Sequence, residues 1–223
     1  EYLFQVYPTI LSQLEQSGWL SAAKEETQLM IERKFTAIDE DTLYRNVKMG
    51  WKLNPQQLNS LKHLAAWRYQ KAKHRDLPLG FVVKDNTLMA VAKCNPSNVG
   101  LMNEIEGAEV LDIRHQGKAM LTVLKKANEV DLADYPEKIA RLDEHPGYKQ
   151  TFKKVKTFIL QEAENCGLSI ENLASKKQIN QFLTWYFKLN SDHLFTMNID
   201  ILQGWRLALF GEKLQLFADN DFK

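Results

Sequence analysis

The chain has 223 residues, 44% of them hydrophobic and 26% charged, a composition typical of a folded globular protein with one or two domains. No apolar run approaches the roughly 20 residues that a membrane-spanning helix needs, and the sequence motifs of phosphate-binding loops, zinc proteases and serine hydrolases are missing. The formal net charge of +1 argues against a uniformly basic protein but allows local basic patches.

The charge is unevenly distributed along the chain. Residues 55–128 carry 11 Lys and Arg against 6 Asp and Glu, and residues 147–189 carry 7 against 3. Residues 129–146, which lie between them, carry 2 against 6. We therefore predict two basic bodies separated by an acidic connector, which is typical of a modest phosphate binder.

The first 54 residues predict connecting helices. Residues 1–16 form an amphipathic pattern ending near Gly18, and further helices are predicted over residues 21–35 and 42–49. We interpret the acidic cluster at residues 39–42 as a helix-start cap rather than a metal site.

Residues 54–78 predict one long helix with a clear start and end. The Asn54 side chain can accept hydrogen bonds from the free N–H groups of the first turn, and Pro55 has no N–H to leave unpaired. Trp67 is predicted to pack inside, and Arg68 to pair with an internal carboxylate or carbonyl group. The last turn is basic, as the helix dipole favours: it contains Lys71, Lys73, His74 and Arg75.

A second helix start is predicted at Gly117. Its backbone N–H groups would suit a phosphate, with Lys118 adding charge and a helix over residues 118–126; alternatively, Gly117 caps the preceding helix. The run from Phe81 to Val83 resembles a strand but is too short to found a sheet. The predicted fold class is therefore all-α.

The second basic body begins after Pro146. Lys149, Lys153 and Lys156 follow at spacings of four and three, so they form one stripe that either follows a phosphate backbone or is simply a solvated helix face. Further helix starts are predicted at Ser169 and at Ser175, the latter as a capping box with Gln178. The last helix is predicted over residues 199–217, after a loop over residues 190–200.

The long helix, with Leu88, Ala92 and Pro96 behind it and Gly107 and Gly117 further on, resembles the HRDC domain, a small helical nucleic-acid-binding module. The spans Tyr44–Arg75, His145–Lys156 and Leu173–Lys188 resemble the bacterial ribonuclease D family, in which HRDC domains occur in tandem. The resemblance implies two consecutive HRDC-like helical bundles preceded by connecting helices. The implied division is 1–20 as the last helix of an exonuclease domain, 21–54 as connecting helices, 55–130 as the first HRDC domain, 131–144 as the acidic connector and 145–219 as a second, divergent HRDC domain.

This resemblance also implies a function. Ribonuclease D is similar to DEDD-type 3′→5′ exonucleases, and the motif that holds their two divalent metals is missing from these 223 residues. We therefore expect no catalytic residue, metal or other cofactor in this chain, and a non-catalytic role in binding RNA, such as tRNA-like precursors during 3′-end processing. The expected partners are RNA and the exonuclease domain of the full-length protein, and no membrane.

Two alternatives remain open at this stage. In the first, the chain is a helical interaction module that docks on the nuclease domain or on a partner protein; in the second, it is the DNA-binding tail of a RecQ-type helicase. Cys94 and Cys166 have no metal-binding spacing and are interpreted as buried thiols in a reducing cytoplasm. The residues predicted to contact nucleic acid are Lys71, Lys73, Arg75, Lys84, Lys118, Lys149, Lys153 and Lys156.

Overall fold

The computed structural model describes residues 2–190 and 199–223. Over these residues the protein is all-α, as predicted, and contains no strand. The chain divides into two compact units. The first unit comprises residues 38–141, and the second unit comprises residues 2–37 together with residues 142–223. Residues 191–198, which make up most of the loop predicted over 190–200, lie outside the described residues.

The chain opens with two helices close to the predicted positions, α1 (Tyr2–Gln16) and α2 (Leu20–Phe35). The Asp39 side chain then accepts a hydrogen bond from a backbone N–H two residues on, which confirms its role as a cap. The helix predicted over residues 42–49 is wrong: two 3-10 turns, Glu40–Asn46 and Gly50–Lys52, occupy this part of the chain. Between them Met49 has a φ of 65°, and a left-handed residue interrupts a right-handed helix.

Five α-helices follow in the first unit, and a 3-10 turn (Leu132–Asp134) comes after them. The α-helices are α3 (Pro55–Arg75), α4 (Leu79–Val82), α5 (Asp85–Cys94), α6 (Val99–Asn103) and α7 (Val110–Ala127). The central helix α3 packs against α5, α7 and the first 3-10 turn. Its Leu58, Leu61 and Leu64 are fully buried in one apolar core with Leu88 of α5 and Met120 of α7.

Helix α3 begins and ends where the sequence predicts. The Asn54 side chain accepts a hydrogen bond from the Gln57 N–H at 2.9 Å, and the Gln57 side chain accepts one from the Asn54 N–H at 3.1 Å. This reciprocal capping box supplies partners for two N–H groups that the helix leaves free. At the other end Asp76 has a φ of 52°, and this left-handed residue stops the helix.

The helix start predicted at Gly117 is wrong, because α7 runs through this residue without a break. Gly117 is buried, and a Cβ atom there would lie 3.3 Å from Cγ2 of Ile113 and 3.4 Å from Cγ1 of Val99. The glycine therefore allows α6 to approach α7 closely. Neither a helix N-terminus nor a cap exists at this position, so the predicted backbone phosphate site is not formed.

The second unit continues with α8 (Tyr148–Asn165), α9 (Ile170–Leu173) and α10 (Lys176–Tyr186). As predicted, α9 begins directly after Ser169, and Ser175 forms a capping box with Gln178 at the start of α10. The last helix begins later than predicted, because Gln203 is extended. It consists of α11 (Gly204–Arg206), a π-helical stretch (Leu207–Gly211) and α12 (Glu212–Asp219).

Polar contacts attach α2 to this last helix. The buried Arg206 forms an ion pair with Glu26 and donates from Nε to the Leu173 carbonyl at 2.8 Å. The Trp205 backbone N–H donates to Oε1 of Glu25 at 3.0 Å. Burial alone would raise the pKa of Glu26, but the hydrogen bond and charge of Arg206 and a hydrogen bond from Trp205 hold that pKa below its usual value. The N-terminal helices thus belong to the same unit as the second basic body, a grouping that was not predicted from the sequence.

Candidate nucleic-acid interface

The C-terminal end of α3 presents exposed cations in the first unit. Lys73 and Arg75 are exposed and take part in no ion pair among residues 2–190 and 199–223. The Lys73 ammonium lies 6.0 Å from the centre of the Tyr69 ring. Both charges are therefore available to a phosphate, and the helix dipole favours positive charge at this end of the helix.

Lys71 has a different environment, although it lies on the same turn. Its Nζ donates to Oε1 of Gln116 on α7 at 2.5 Å and lies 5.4 Å from the centre of the Trp67 ring. Burial and the nearby charge of Arg75 lower the pKa of Lys71. Lys71 thus joins α3 to α7, and Trp67 packs against the core beneath it, as predicted. Its binding to nucleic acid stays a prediction.

Lys84 links the loop after α4 to the start of α7. Its backbone N–H donates to Oδ2 of Asp112 at 2.9 Å, and its Nζ lies 3.3 Å from Oε1 of Glu109. The exposed ion pair is worth little in water, so a phosphate can displace Glu109 at small cost. Among the predicted cations of the first unit, Lys84 is the one whose charge is already partly offset.

Arg68 lines a groove that Lys84 also lines. Its Nη1 donates to the Val83 carbonyl at 2.9 Å and to Oδ1 of Asp85 at 2.7 Å, which confirms the predicted pairing. The groove has a volume of about 540 Å³. Its polar and aromatic lining consists of Asn46, Lys48, Arg68, Tyr69, Lys84, Asp85 and Asn86.

Lys118 lies apart from the end of α3. It is exposed on α7, two residues after the Gln116 that contacts Lys71. Because successive residues of an α-helix are separated by about 100° around the axis, Lys118 points to nearly the opposite side of α7. The cations of the first unit therefore do not form one continuous patch.

In the second unit, α8 carries the predicted lysine stripe, and Lys149, Lys153 and Lys156 are all exposed. Lys153 borders a groove of about 300 Å³ together with Lys154, a half-buried lysine that the sequence analysis did not select. The place of Lys154 beside the groove depends on the packing of Phe217 against Phe158, which no local pattern in the sequence shows. Lys149 lies one turn before Lys153 on the same side of α8 and Lys156 lies further round the helix, and neither lines this groove.

The described residues include no metal-binding group, no membrane-spanning helix and no buried cysteine. They contain no group of three or more His, Cys, Asp or Glu side chains that could hold a metal ion. Among the same residues, no helix combines the length and the apolar character needed to cross a membrane. Cys94 is exposed and Cys166 is half-buried, so the prediction of two buried thiols is wrong.

Two family models match this chain. The HRDC domain matches residues 57–124, and the "Ribonuclease D, C-terminal HRDC domain" matches residues 146–214. The first match covers α3 to α7 of the first unit, and the second covers α8 to the start of α12. Each basic body that the sequence predicts therefore corresponds to one HRDC domain.

Curated relatives and solved structures point to the same family. The chain is 35% identical to a ribonuclease D of Cronobacter turicensis over 219 residues, and 34% identical to that of Escherichia coli over 213 residues. These alignments cover 98% and 96% of this chain but 58% and 56% of the relatives, so the chain spans little more than half their length. The crystal structure of the Escherichia coli protein, described as an exoribonuclease involved in structured RNA processing, superposes with a TM-score of 0.87 at 32% identity, covering 98% of this chain and 57% of that one.

Proposed function

This chain carries the tandem HRDC domains of the ribonuclease D family, and we propose that they bind RNA without catalysing its cleavage. In this proposal the HRDC domains hold a structured RNA such as a tRNA precursor while a nuclease domain of the same protein, carrying two divalent metals, trims the 3′ end. The setting would be the cytoplasm. The Escherichia coli relative is an exoribonuclease involved in structured RNA processing, which supports this class of substrate.

The observation that carries the proposal is the unneutralised charge at the end of α3. Lys73 and Arg75 are exposed and without an ion pair in the described part of the chain. The Lys73 ammonium lies 6.0 Å from the ring of Tyr69, which lines a polar groove that also includes Lys48. Such side chains release counterions from a phosphate backbone and hold it by charge and shape rather than by sequence. Binding in this way raises the local concentration of RNA near a linked nuclease.

The test is fluorescence anisotropy with a labelled tRNA that carries a 3′ extension, over a series of salt concentrations. Lys73→Gln with Arg75→Gln should weaken binding and lower the slope of log K against log salt by about 1.5, because each lost phosphate contact accounts for about 0.7–0.9. The matched control is Lys125→Gln with Lys126→Gln, two exposed lysines at the far end of α7. Equal losses in both variants, or no binding at low salt, would contradict the proposal.

A second function is favoured by the surface of α1 and α2. Several large apolar side chains there are strongly exposed, among them Leu3 and Phe4 at 87% each and Phe35 at 84%. An apolar surface of this kind marks a protein interface, so these helices would dock on the nuclease domain or on a partner protein. Leu3→Ser with Phe4→Ser should then reduce binding of this chain to an added nuclease domain in light scattering, whereas unchanged binding would count against an interface here.

A further inference from the structure

The groove in the second unit combines cations with an aromatic pair. It is lined by Lys153, Lys154, Thr157, Phe158 and Gln161 of α8 and by Phe217 of α12. The rings of Phe158 and Phe217 are stacked, with centroids 5.3 Å apart and planes 18° apart. Both rings are half-buried, so they pack against the core and still border the groove.

The α8 residues that line the groove form two rows along the helix. Lys153, Thr157 and Gln161 follow one another at intervals of four residues, so they form a row along α8. Lys154 and Phe158 form a parallel row beside it. The Thr157 hydroxyl and the Gln161 amide make no side-chain hydrogen bond within residues 2–190 and 199–223, which leaves them free to bond to a ligand.

The charges around the groove favour an anion. Glu162, the nearest acidic residue of α8 in sequence, is paired with Lys213 of α12 at 2.7 Å, and this partner raises the pKa of Lys213. Asp221, beyond the end of α12, lies 3.9 Å from the ammonium of Lys223. Lys153 and Lys154 form no ion pair in the described ranges, so they supply the uncompensated charge.

We propose that this groove binds one unpaired nucleotide of a single-stranded RNA segment. The base stacks against the Phe158–Phe217 pair, the Gln161 amide and the Thr157 hydroxyl bond to its edge, and Lys153 and Lys154 hold the adjacent phosphates. Base stacking on aromatic side chains beside a basic track is how proteins hold single strands without reading their sequence. A duplex would present its phosphates but not its base faces, and an apolar peptide would leave both lysines without a partner.

This inference rests on RNA as the ligand of the proposed function and adds a site on the second HRDC domain. The experiment compares a short labelled oligoadenylate with an abasic oligonucleotide of the same length, by anisotropy with the whole chain. Phe158→Leu with Phe217→Leu keeps apolar side chains in the core but removes the stacking surface. It should weaken oligoadenylate binding about 5- to 100-fold and leave binding of the abasic strand unchanged.

Three further variants complete the test. Lys153→Gln with Lys154→Gln should weaken the binding of both ligands. Lys176→Gln with Lys177→Gln changes two exposed lysines on α10 and should affect the binding of neither. Phe158→Tyr retains an aromatic ring and should bind oligoadenylate as the unmodified chain does. Thermal unfolding by circular dichroism checks that each variant is folded.

The outcomes separate the two proposals. If Phe158→Leu with Phe217→Leu leaves the affinity for oligoadenylate unchanged, or lowers the affinity for both ligands equally, the stacking site is overturned. If in the same series Lys73→Gln with Arg75→Gln still weakens tRNA binding, the proposed function of the first HRDC domain stands. If the unmodified chain binds neither tRNA nor oligoadenylate, both proposals are overturned.

Discussion

Replacement of Glu26 by alanine tests whether the N-terminal helices are held on the second unit. The Arg206 side chain is 7% exposed and that of Glu26 is 28% exposed, so the substitution leaves a largely buried guanidinium without its carboxylate. Removing one partner of a fully buried ion pair costs about 3–5 kcal/mol. Glu26 is partly exposed, and Arg206 keeps its bond to the Leu173 carbonyl. We therefore expect Glu26→Ala to destabilise the contact between α2 and the last helix by about 2 kcal/mol.

Hydrogen exchange measured by mass spectrometry resolves this effect within the second unit. Amides of α2 that exchange through opening of this contact should exchange roughly 30-fold faster in Glu26→Ala, since about 1.4 kcal/mol corresponds to a factor of ten. The control is Glu32→Ala on the same helix, whose carboxylate accepts a hydrogen bond from Gln28 on the exposed surface. If both variants exchange α2 amides at the same rate, the Glu26–Arg206 pair does not hold α2.

Three other outcomes follow from the structure. Gly211→Ala should lower the thermal unfolding temperature of the second unit strongly, because its Cβ would lie 2.6 Å from the backbone oxygen of Ile201, whereas Gly80→Ala meets nothing within 4 Å. Arg68→Ala should lower the free energy of unfolding of the first unit by about 3 kcal/mol in denaturant unfolding, since it removes the ion-pair partner of Asp85 and the donor to the Val83 carbonyl. A loss no larger than that of a substitution at an exposed position would refute the role of this pair. The pKa of Glu26 in the folded protein lies below its usual 4.5, so its carboxylate stabilises the fold above that pH and the contribution is lost as the pH falls further. Stability curves of the unmodified chain and of Glu26→Gln should therefore converge on acidification below about pH 4.5, and parallel curves would contradict this.

Local signals predicted much of the first unit. The side chains that begin α3 bond to backbone groups three residues away, so the sequence around Asn54 contains all the information that its cap requires. The pairing of Arg68 was also predictable, because a charged side chain in a buried turn needs a partner. Gly117 was misread because a glycine that lets two helices approach has the same local sequence as a glycine that ends a helix.

Contacts between residues far apart in the chain could not be predicted from local sequence patterns. Glu26 and Arg206 are 180 residues apart in sequence, and neither has a neighbour that identifies the other. Lys154 belongs to the second-unit groove because Phe217 packs against Phe158 from another helix. The lysine spacing along α8 alone predicted a stripe and could not show which lysines lie beside the aromatic pair.

The discontinuous second unit affects the order in which the chain folds during synthesis. Residues 38–141 form the first unit alone, so that unit can fold while the rest is still being translated. The contact between Glu26 and Arg206 must wait for 180 further residues, which takes roughly 10–40 s at about 5–20 residues per second. During that interval α1 and α2 have no partner from the rest of the second unit, and the side of α2 that carries Glu26 is open to chaperones or to other chains. Synthesis rate is therefore expected to affect the yield of the second unit more than that of the first.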